Sequence, residues 1–181
     1  MTLVLAVVGS PEAGGKSATA ARAVLAGARA AGADVELVEL AGVEYGEKLQ
    51  DALEEADAVV FAAPVYRARA AFPLKMFLDR VPRGMWGEAS APLRGKACAV
   101  VLTGATWHHF LALDDLRGVL ATFFAAQVLS PGLYLSSDAF TDAKELTQDW
   151  ADLAYTNGVA LTDLARAVRD SKAIGALRPL A

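Results

Sequence analysis

Apolar runs and helically spaced apolar positions alternate along most of this chain. Leu3-Val4-Leu5-Ala6-Val7-Val8 is continuous, as in a strand covered on both faces. Ala18 to Ala31 is small or apolar with Arg22 and Arg29 as the polar exceptions, and Gly32 stands where a helix C′ residue belongs, so this stretch predicts a helix. Asp34 to Leu40 alternates strictly and predicts a strand near a sheet edge with one face wet. Leu49, Ala52, Leu53 and Ala56 give a short amphipathic helix over Glu47 to Ala56. Asp57 to Ala63 is a second buried strand, expected to stop at Pro64. Pro73 to Asp79 predicts a helix with Pro73 in its first turn and Met76, Phe77 and Leu78 in the core.

Farther on, Arg83 to Gly95 reads as a long loop around Met85 and Trp86, and Lys96 to Leu102 as another apolar strand. Phe110 to Ala126 returns to helical spacing through Leu113, Leu116, Leu120 and Phe123. Val128 to Leu135 is strand-like around Pro131-Gly132, and Asp142 to Val168 is helical in pattern with a break expected at Asn157-Gly158. Strand and helix thus alternate five times, the pattern of a doubly wound α/β fold. The expectation is a single flavodoxin-like domain over residues 1–181: a five-stranded parallel sheet in the order 2-1-3-4-5 with helices on both faces.

In such sheets the ligand crevice lies outside the carboxyl ends of the strands. That rule selects Gly9 to Ser17, Pro64 to Ala71 and Thr103 to His109, where the sequence turns to Gly, Pro, Thr and aromatic residues. The first of these, G-S-P-E-A-G-G-K-S-A-T over Gly9 to Thr19, leads from a strand into a helix start, where unpaired N–H groups favour an anion. The hydroxyls of Ser10, Ser17 and Thr19 can donate to phosphate, and Lys16 adds positive charge. Equally, Ser17 can be a plain N-cap after a Pro-Gly turn. Gly15-Lys16-Ser17 matches the end of a P-loop, whose first glycine would then fall at Ser10; Gly9 is one residue early, so a nucleoside-triphosphate site ranks second for this loop.

Composition narrows the function classes. The chain has 181 residues, 55% of them hydrophobic, which suffices for a full core. No apolar run nears the roughly 20 residues needed to cross a bilayer, and the start lacks the basic region of a signal peptide. The net charge of −4 and the scattered Lys and Arg argue against nucleic acid. Cys98 is the single cysteine and is expected as a buried thiol. These features point to a cytoplasmic globular protein. No metal ligand set is expected, because adjacent His108 and His109 point different ways, at least one of them capping or packing at the next helix. Asp114-Asp115 reads as a solvated helix face, and Tyr66 as either a ring-stacking residue or core.

Taken together, G-S-P at Gly9 to Pro11 with Ser17 and Thr19, A-P-V-Y at Ala63 to Tyr66 continuing to Leu74-Lys75 and Asp79, and T-G-A-T-W-H-H-F-L-A-L-D at Thr103 to Asp114 resemble the NADPH-dependent FMN reductase family. The likeness is greatest to the flavin reductases that serve alkanesulfonate monooxygenases and runs from Leu3 to about Leu135. It implies that Ser10, Ser17 and Thr19 hold the FMN phosphate, and Lys16 joins them as a cofactor-binding residue by its charge. Pro64, Val65, Tyr66 and Arg67 would line one side of the isoalloxazine, with Thr103, Gly104 and Ala105 at its other edge. It also implies hydride transfer from NADPH or NADH to FMN, with no catalytic side chain named. Reduced flavin would go to a partner monooxygenase or a quinone-like acceptor, and a homodimer or homotetramer is expected. A non-enzymatic flavin-binding electron carrier is the alternative, although the T-x-T-G-x-T loop of flavodoxin-type carriers is missing.

Two departures from the family pattern stand out. Glu12 replaces the usual Arg after G-S-P, and a carboxylate about 6 Å from a phosphate charge costs on the order of 3 kcal/mol at an effective dielectric of about 20. Ala71-Phe72 replaces a Ser-Gly pair, which narrows the space expected over the ring.

Overall fold

A computed structural model describes residues 1–43 and 46–179. The first apolar run forms β1 (Thr2–Val8), followed by α1 (Lys16–Ala30) and β2 (Ala33–Glu39). Then come α2 (Glu47–Glu55), β3 (Ala58–Tyr66), a two-residue β4 (Arg69–Ala70) and α3 (Phe72–Leu78). β5 (Ala97–Thr103) leads through a 3-10 turn at Trp107–His109 into α4 (Ala112–Phe123). The chain continues through β6 (Gln127–Val128), β7 (Leu133–Leu135), β8 (Phe140–Asp142) and β9 (Glu145–Leu146), and ends in α5 (Gln148–Asp170) and α6 (Lys172–Gly175).

The main path of the sheet is β2-β1-β3-β5-β6, all parallel, with β7 also parallel to β5. This is the expected 2-1-3-4-5 order with its fifth strand in two pieces. β6 pairs at Ala97↔Gln127 and Cys98↔Val128, and β7 resumes at Val101↔Leu133. Pro131, which has no N–H to offer a ladder, lies in the gap. Each strand sends alternate residues to opposite faces. Leu5, Val7, Phe61 and Leu102 pack with Leu53, Leu74 and Leu116 of α2, α3 and α4. Val4, Ala6, Val8 and Val60 pack with Val24 and Leu161 of α1 and α5 on the other side. Cys98 is fully buried, and that burial pushes its thiol up to about 12.

Several expectations need correction. β3 does not stop at Pro64: that residue forms the last parallel pair, with Thr103, and the strand then folds back on β4 through Val65↔Ala70 and Tyr66↔Arg69. The sheet is therefore seven-stranded and not wholly parallel. Residues 142–146, expected as the start of a helix, lie in the antiparallel β8–β9 hairpin that begins at Phe140. No break occurs at Asn157-Gly158; α5 runs unbroken from Gln148 to Asp170. Gly158 is there for proximity, since a Cβ at that position would lie 1.8 Å from the Val24 carbonyl oxygen of α1. Gly27 of α1 answers it: its Cβ would lie 1.9 Å from the Tyr155 carbonyl oxygen. Met76, expected in the core, is 49% exposed, whereas Phe77 and Leu78 are buried. α4 ends at Phe123, ahead of Ala125 at φ 53. Among the described residues no helix is long and apolar enough to cross a membrane.

Candidate functional site

The turn between β1 and α1 is fixed at both ends by backbone bonds. Gly9 donates to the Ala62 carbonyl at 2.7 Å, and Gly15 accepts from Thr19 N–H at 3.1 Å. Gly9 serves packing, since its Cβ would sit 2.3 Å from Leu74 Cβ of α3. Gly14 takes the left-handed conformation at φ +71, which favours glycine, and an added Cβ at Gly14 or Gly15 would meet nothing within 4 Å. Gly15 is the N-cap of α1, with no side-chain cap hydrogen bond and no acidic residue in the first turn. The first-turn amides of a helix have no intrahelical acceptor, so the end of α1 beside that open space suits an anion.

The four side chains expected around this anion site have different surroundings. Ser10 Oγ accepts the Glu12 N–H at 3.3 Å, and Glu12 is exposed. The Lys16 ammonium lies 5.0 Å from the centre of the Phe140 ring. Thr19 Oγ1 donates to the Ala143 carbonyl at 2.9 Å, which ties α1 to the β8–β9 hairpin. Ser17 is buried, its hydroxyl 2.7 Å from that of Thr103 at the end of β5. The structure thus joins Ser17 and Thr103 beneath the surface and leaves Ser10 and Lys16 with the amides of the turn.

A second group of side chains meets around an open cleft of about 850 Å³. Val65, Tyr66 and Arg67 come from the β3–β4 hairpin, Ala71 and Phe72 from the start of α3, and Ala105, Thr106 and His109 from the segment after β5. Tyr66 is 58% exposed and so is not core. The two residues of the hairpin turn, Arg67 and Ala68, have φ 50 and φ 65, the left-handed pair that a tight two-residue turn requires although neither is glycine. Arg69 pairs with Asp115 of α4 at 2.7 Å, and Asp114 lies 3.7 Å from Arg117, so the acidic pair faces its neighbours and solvent as expected.

Opposite the hairpin, the segment after β5 is supported from behind. Gly104 donates to the Leu135 carbonyl at 2.9 Å, and a Cβ on Gly104 would lie 2.0 Å from the Tyr134 hydroxyl oxygen. That hydroxyl donates to the Thr106 carbonyl at 2.7 Å, and Ser137 N–H reaches the Ala105 carbonyl at 3.4 Å. Tyr134 is the supporting residue that sequence reasoning missed; its place near the carboxyl end of the predicted fifth strand, now β7, was the available signal. Trp107 turns away from the cleft to pack against Tyr134 and Trp150, each with ring centres 5.6 Å distant. Phe72 is 64% exposed at the rim and does not fill the space. His108 Nδ1 lies 2.9 Å from Thr106 Oγ1, while His109 reaches the cleft wall. Of the residues expected at a ring, Val65, Tyr66, Arg67 and Ala105 line the cleft, and Pro64 and Thr103 form the last rung of the sheet beneath it.

The sequence profile of the NADPH-dependent FMN reductases matches residues 2–141, which contain all of these elements up to the β8–β9 hairpin. The chain belongs to this family. Among curated FMN reductases, it is 35% identical over 89 residues to the NADH-dependent FMN reductase SfnF of Pseudomonas putida, covering 49% of this chain and 44% of that protein. It is 36% identical over 78 residues to the FMN reductase (NADPH) of Escherichia coli strain K12, covering 42% of this chain and 37% of the relative. The chain therefore spans about half the length, or less, of these two curated relatives. The fold likeness of this FMN reductase family member is broader. The apo form of an NADH:FMN oxidoreductase, EMOB, superposes with a TM-score of 0.78 at 24% identity, over 98% of this chain and 97% of that one. A flavodoxin from the domain Archaea superposes with a TM-score of 0.67 at 18% identity, over 91% and 99% of the two chains.

Proposed function

We propose that this protein is an NAD(P)H-dependent FMN reductase whose flavin sits in the cleft between the β3–β4 hairpin and the segment after β5. The observation that carries this reading is the placement of the cleft and the uncapped start of α1 at the carboxyl ends of the parallel strands β1, β3 and β5 of one sheet. A flat ring and an anionic tail need that combination.

The residues present fit the group. Open space at Gly14 and Gly15, the first-turn amides of α1, Ser10 and Lys16 supply donors and positive charge for the phosphate, with Ser17 and Thr19 at the same helix start. Pro64, Val65, Tyr66 and Arg67 would bound one side of the ring, and Thr103, Gly104 and Ala105 its far edge. When bound, FMN accepts a hydride from the nicotinamide of NADPH or NADH. The chain's own part would be to hold the ring beside the β3–β4 hairpin and to keep the edge formed by Ala105 and Thr106 rigid through Tyr134. No side chain is assigned as acid or base.

The acceptor served by this chain would be a partner monooxygenase or a quinone-like compound, with the name of the Pseudomonas relative favouring a flavin-reductase setting. The working form is a homodimer or homotetramer in the cytoplasm. The test is an anaerobic titration of the protein with FMN, followed by each nicotinamide. FMN binds, and NAD(P)H bleaches its visible absorption. Failure of saturating FMN to bind overturns the assignment, and binding without steady-state NAD(P)H oxidation identifies a carrier instead.

A further inference from the structure

Behind the β1–α1 turn, the Glu39 carboxylate bridges two groups that the proposed function leaves unused. Its Oε2 accepts the Gly14 N–H at 2.6 Å and its Oε1 accepts from Arg22 Nη2 at 2.9 Å. Glu39 is the last residue of β2, beside Val8 in register, while Arg22 stands on α1. One side chain therefore ties the turn, the edge strand and the helix together. The Glu39 side chain is 19% exposed and that of Arg22 is 54% exposed.

Among the described residues, the other recorded hydrogen bonds of Gly9 to Gly15 lie at its two ends or stay within the turn, as in the Ser10–Glu12 contact. Gly14 is also where the turn needs its left-handed conformation. The direction of the following amides, at Gly15 and the start of α1, depends on how the Gly14 peptide is held. A charge-assisted bond to a carboxylate is stronger than a neutral one and suits that task. It carries a penalty, because a bare carboxylate behind an anion site repels the anion, and Glu12 already adds one negative charge to this turn. Arg22 cancels the second.

We propose that Glu39 is a positioning residue for the flavin phosphate, fixing the Gly14 peptide so that the amides that follow it face the anion, and that Arg22 serves to neutralise Glu39. This rests on the reading of the turn as the phosphate site. The consequence is a coupling of definite sign: Arg22 is needed only while Glu39 carries its charge.

The test compares FMN with riboflavin, which has the same ring and no phosphate, binding each to the full chain at fixed ionic strength by quenching of flavin fluorescence. If the wild type binds both equally, the phosphate reading of the turn falls and this proposal falls with it. If FMN is preferred, that reading stands and the variants decide. Arg22→Ala is expected to lower the preference for FMN roughly tenfold at low salt, with a smaller loss at high salt. Glu39→Ala, which removes the acceptor, lowers it by roughly fivefold, while Glu39→Gln keeps an acceptor and stays within about threefold of the wild type. The double variant Arg22→Ala with Glu39→Gln recovers to within about threefold, and riboflavin affinity is unchanged throughout. Equal losses in Arg22→Ala and in the double variant, or a wild-type preference in a folded Glu39→Ala, overturn the proposal. The near-isosteric Glu39→Gln pair keeps the coupling measurable even if Glu39→Ala does not fold.

Discussion

The hydroxyls of Ser17 and Thr103 lie 2.7 Å apart in a buried contact that joins the start of α1 to the end of β5, across 86 positions of sequence. Each is the partner that keeps the other from being an unsatisfied polar group in the interior. Ser17→Ala alone is expected to cost about 1–3 kcal/mol, because the Thr103 hydroxyl loses its partner. Adding Thr103→Val recovers most of that loss. Urea denaturation of the two single variants and the double variant measures the coupling, and additive losses contradict it.

The turn of the β3–β4 hairpin places Arg67 and Ala68 at positive φ. A non-glycine residue in the left-handed region carries a steric penalty of about 1–2 kcal/mol. Ala68→Gly removes it and returns part of the gain as chain entropy, so stability rises by about 0.5–1 kcal/mol. Thermal unfolding registers this as a higher Tm; a fall in Tm contradicts the strain.

α1 and α5 meet through main-chain atoms at Gly27 and Gly158, where an added Cβ would come within 2 Å of the Tyr155 and Val24 carbonyl oxygens respectively. Backbone cannot step aside as a flexible side chain can. Gly158→Ala is therefore expected to destabilise the protein by about 3 kcal/mol or more, although alanine has the higher helix propensity. A neutral result in urea denaturation contradicts the close crossing.

Stability at alkaline pH depends on two neighbours with opposite signs. Burial lowers the Lys96 ammonium from 10.5 to about 8, and burial raises the Cys98 thiol from 9.0 to about 12. Lys96 also donates to the Glu54 carbonyl at 2.7 Å, so it stays in place when neutral. Between about 8 and 10.5 the unfolded chain holds a Lys96 proton that the folded chain has released, so this group makes stability rise with pH. From 9.0 to about 12 the folded chain holds a Cys98 proton that the unfolded chain has released, so stability falls. The two slopes oppose each other between 9.0 and 10.5. The wild type should therefore be nearly level in that window, where Cys98→Ala should give a rise of unfolding free energy with pH and Lys96→Met a fall. Parallel pH profiles of the three proteins, followed by denaturant unfolding, contradict both assignments.

The sheet was legible because strands covered on both faces must be continuously apolar, and β1, β3 and β5 are. The misreadings share a cause, namely that local pattern cannot see what lies opposite. Asn157-Gly158 looks like a turn until α1 is placed 1.8 Å from the missing Cβ. Leu146 and Trp150 stand four apart, as on a helical face, yet Leu146 pairs with Phe140 across a hairpin. Pro64 cannot donate to a ladder, and the strand nevertheless continues because a private partner, β4, replaces the sheet. At the candidate site, the three strand-end segments were legible from position alone. The inward turn of Ser17, the support by Tyr134 and the grip of Glu39 were not, since each depends on a contact between residues remote in sequence.

The main-chain contact between α1 and α5 also bears on how the protein can respond to a ligand. Two helices whose backbones touch at a pair of glycines have no compressible layer of side chains between them, so neither can slide or tilt without collision. The amino end of α1 is consequently a fixed post, and adjustment to an arriving dianion falls to the hairpins on either side of it. Amide hydrogen exchange should report this division as protection in α1 beyond its first turn that is indifferent to FMN, beside ligand-dependent slowing at the first-turn amides and at residues 65–71 and 140–146.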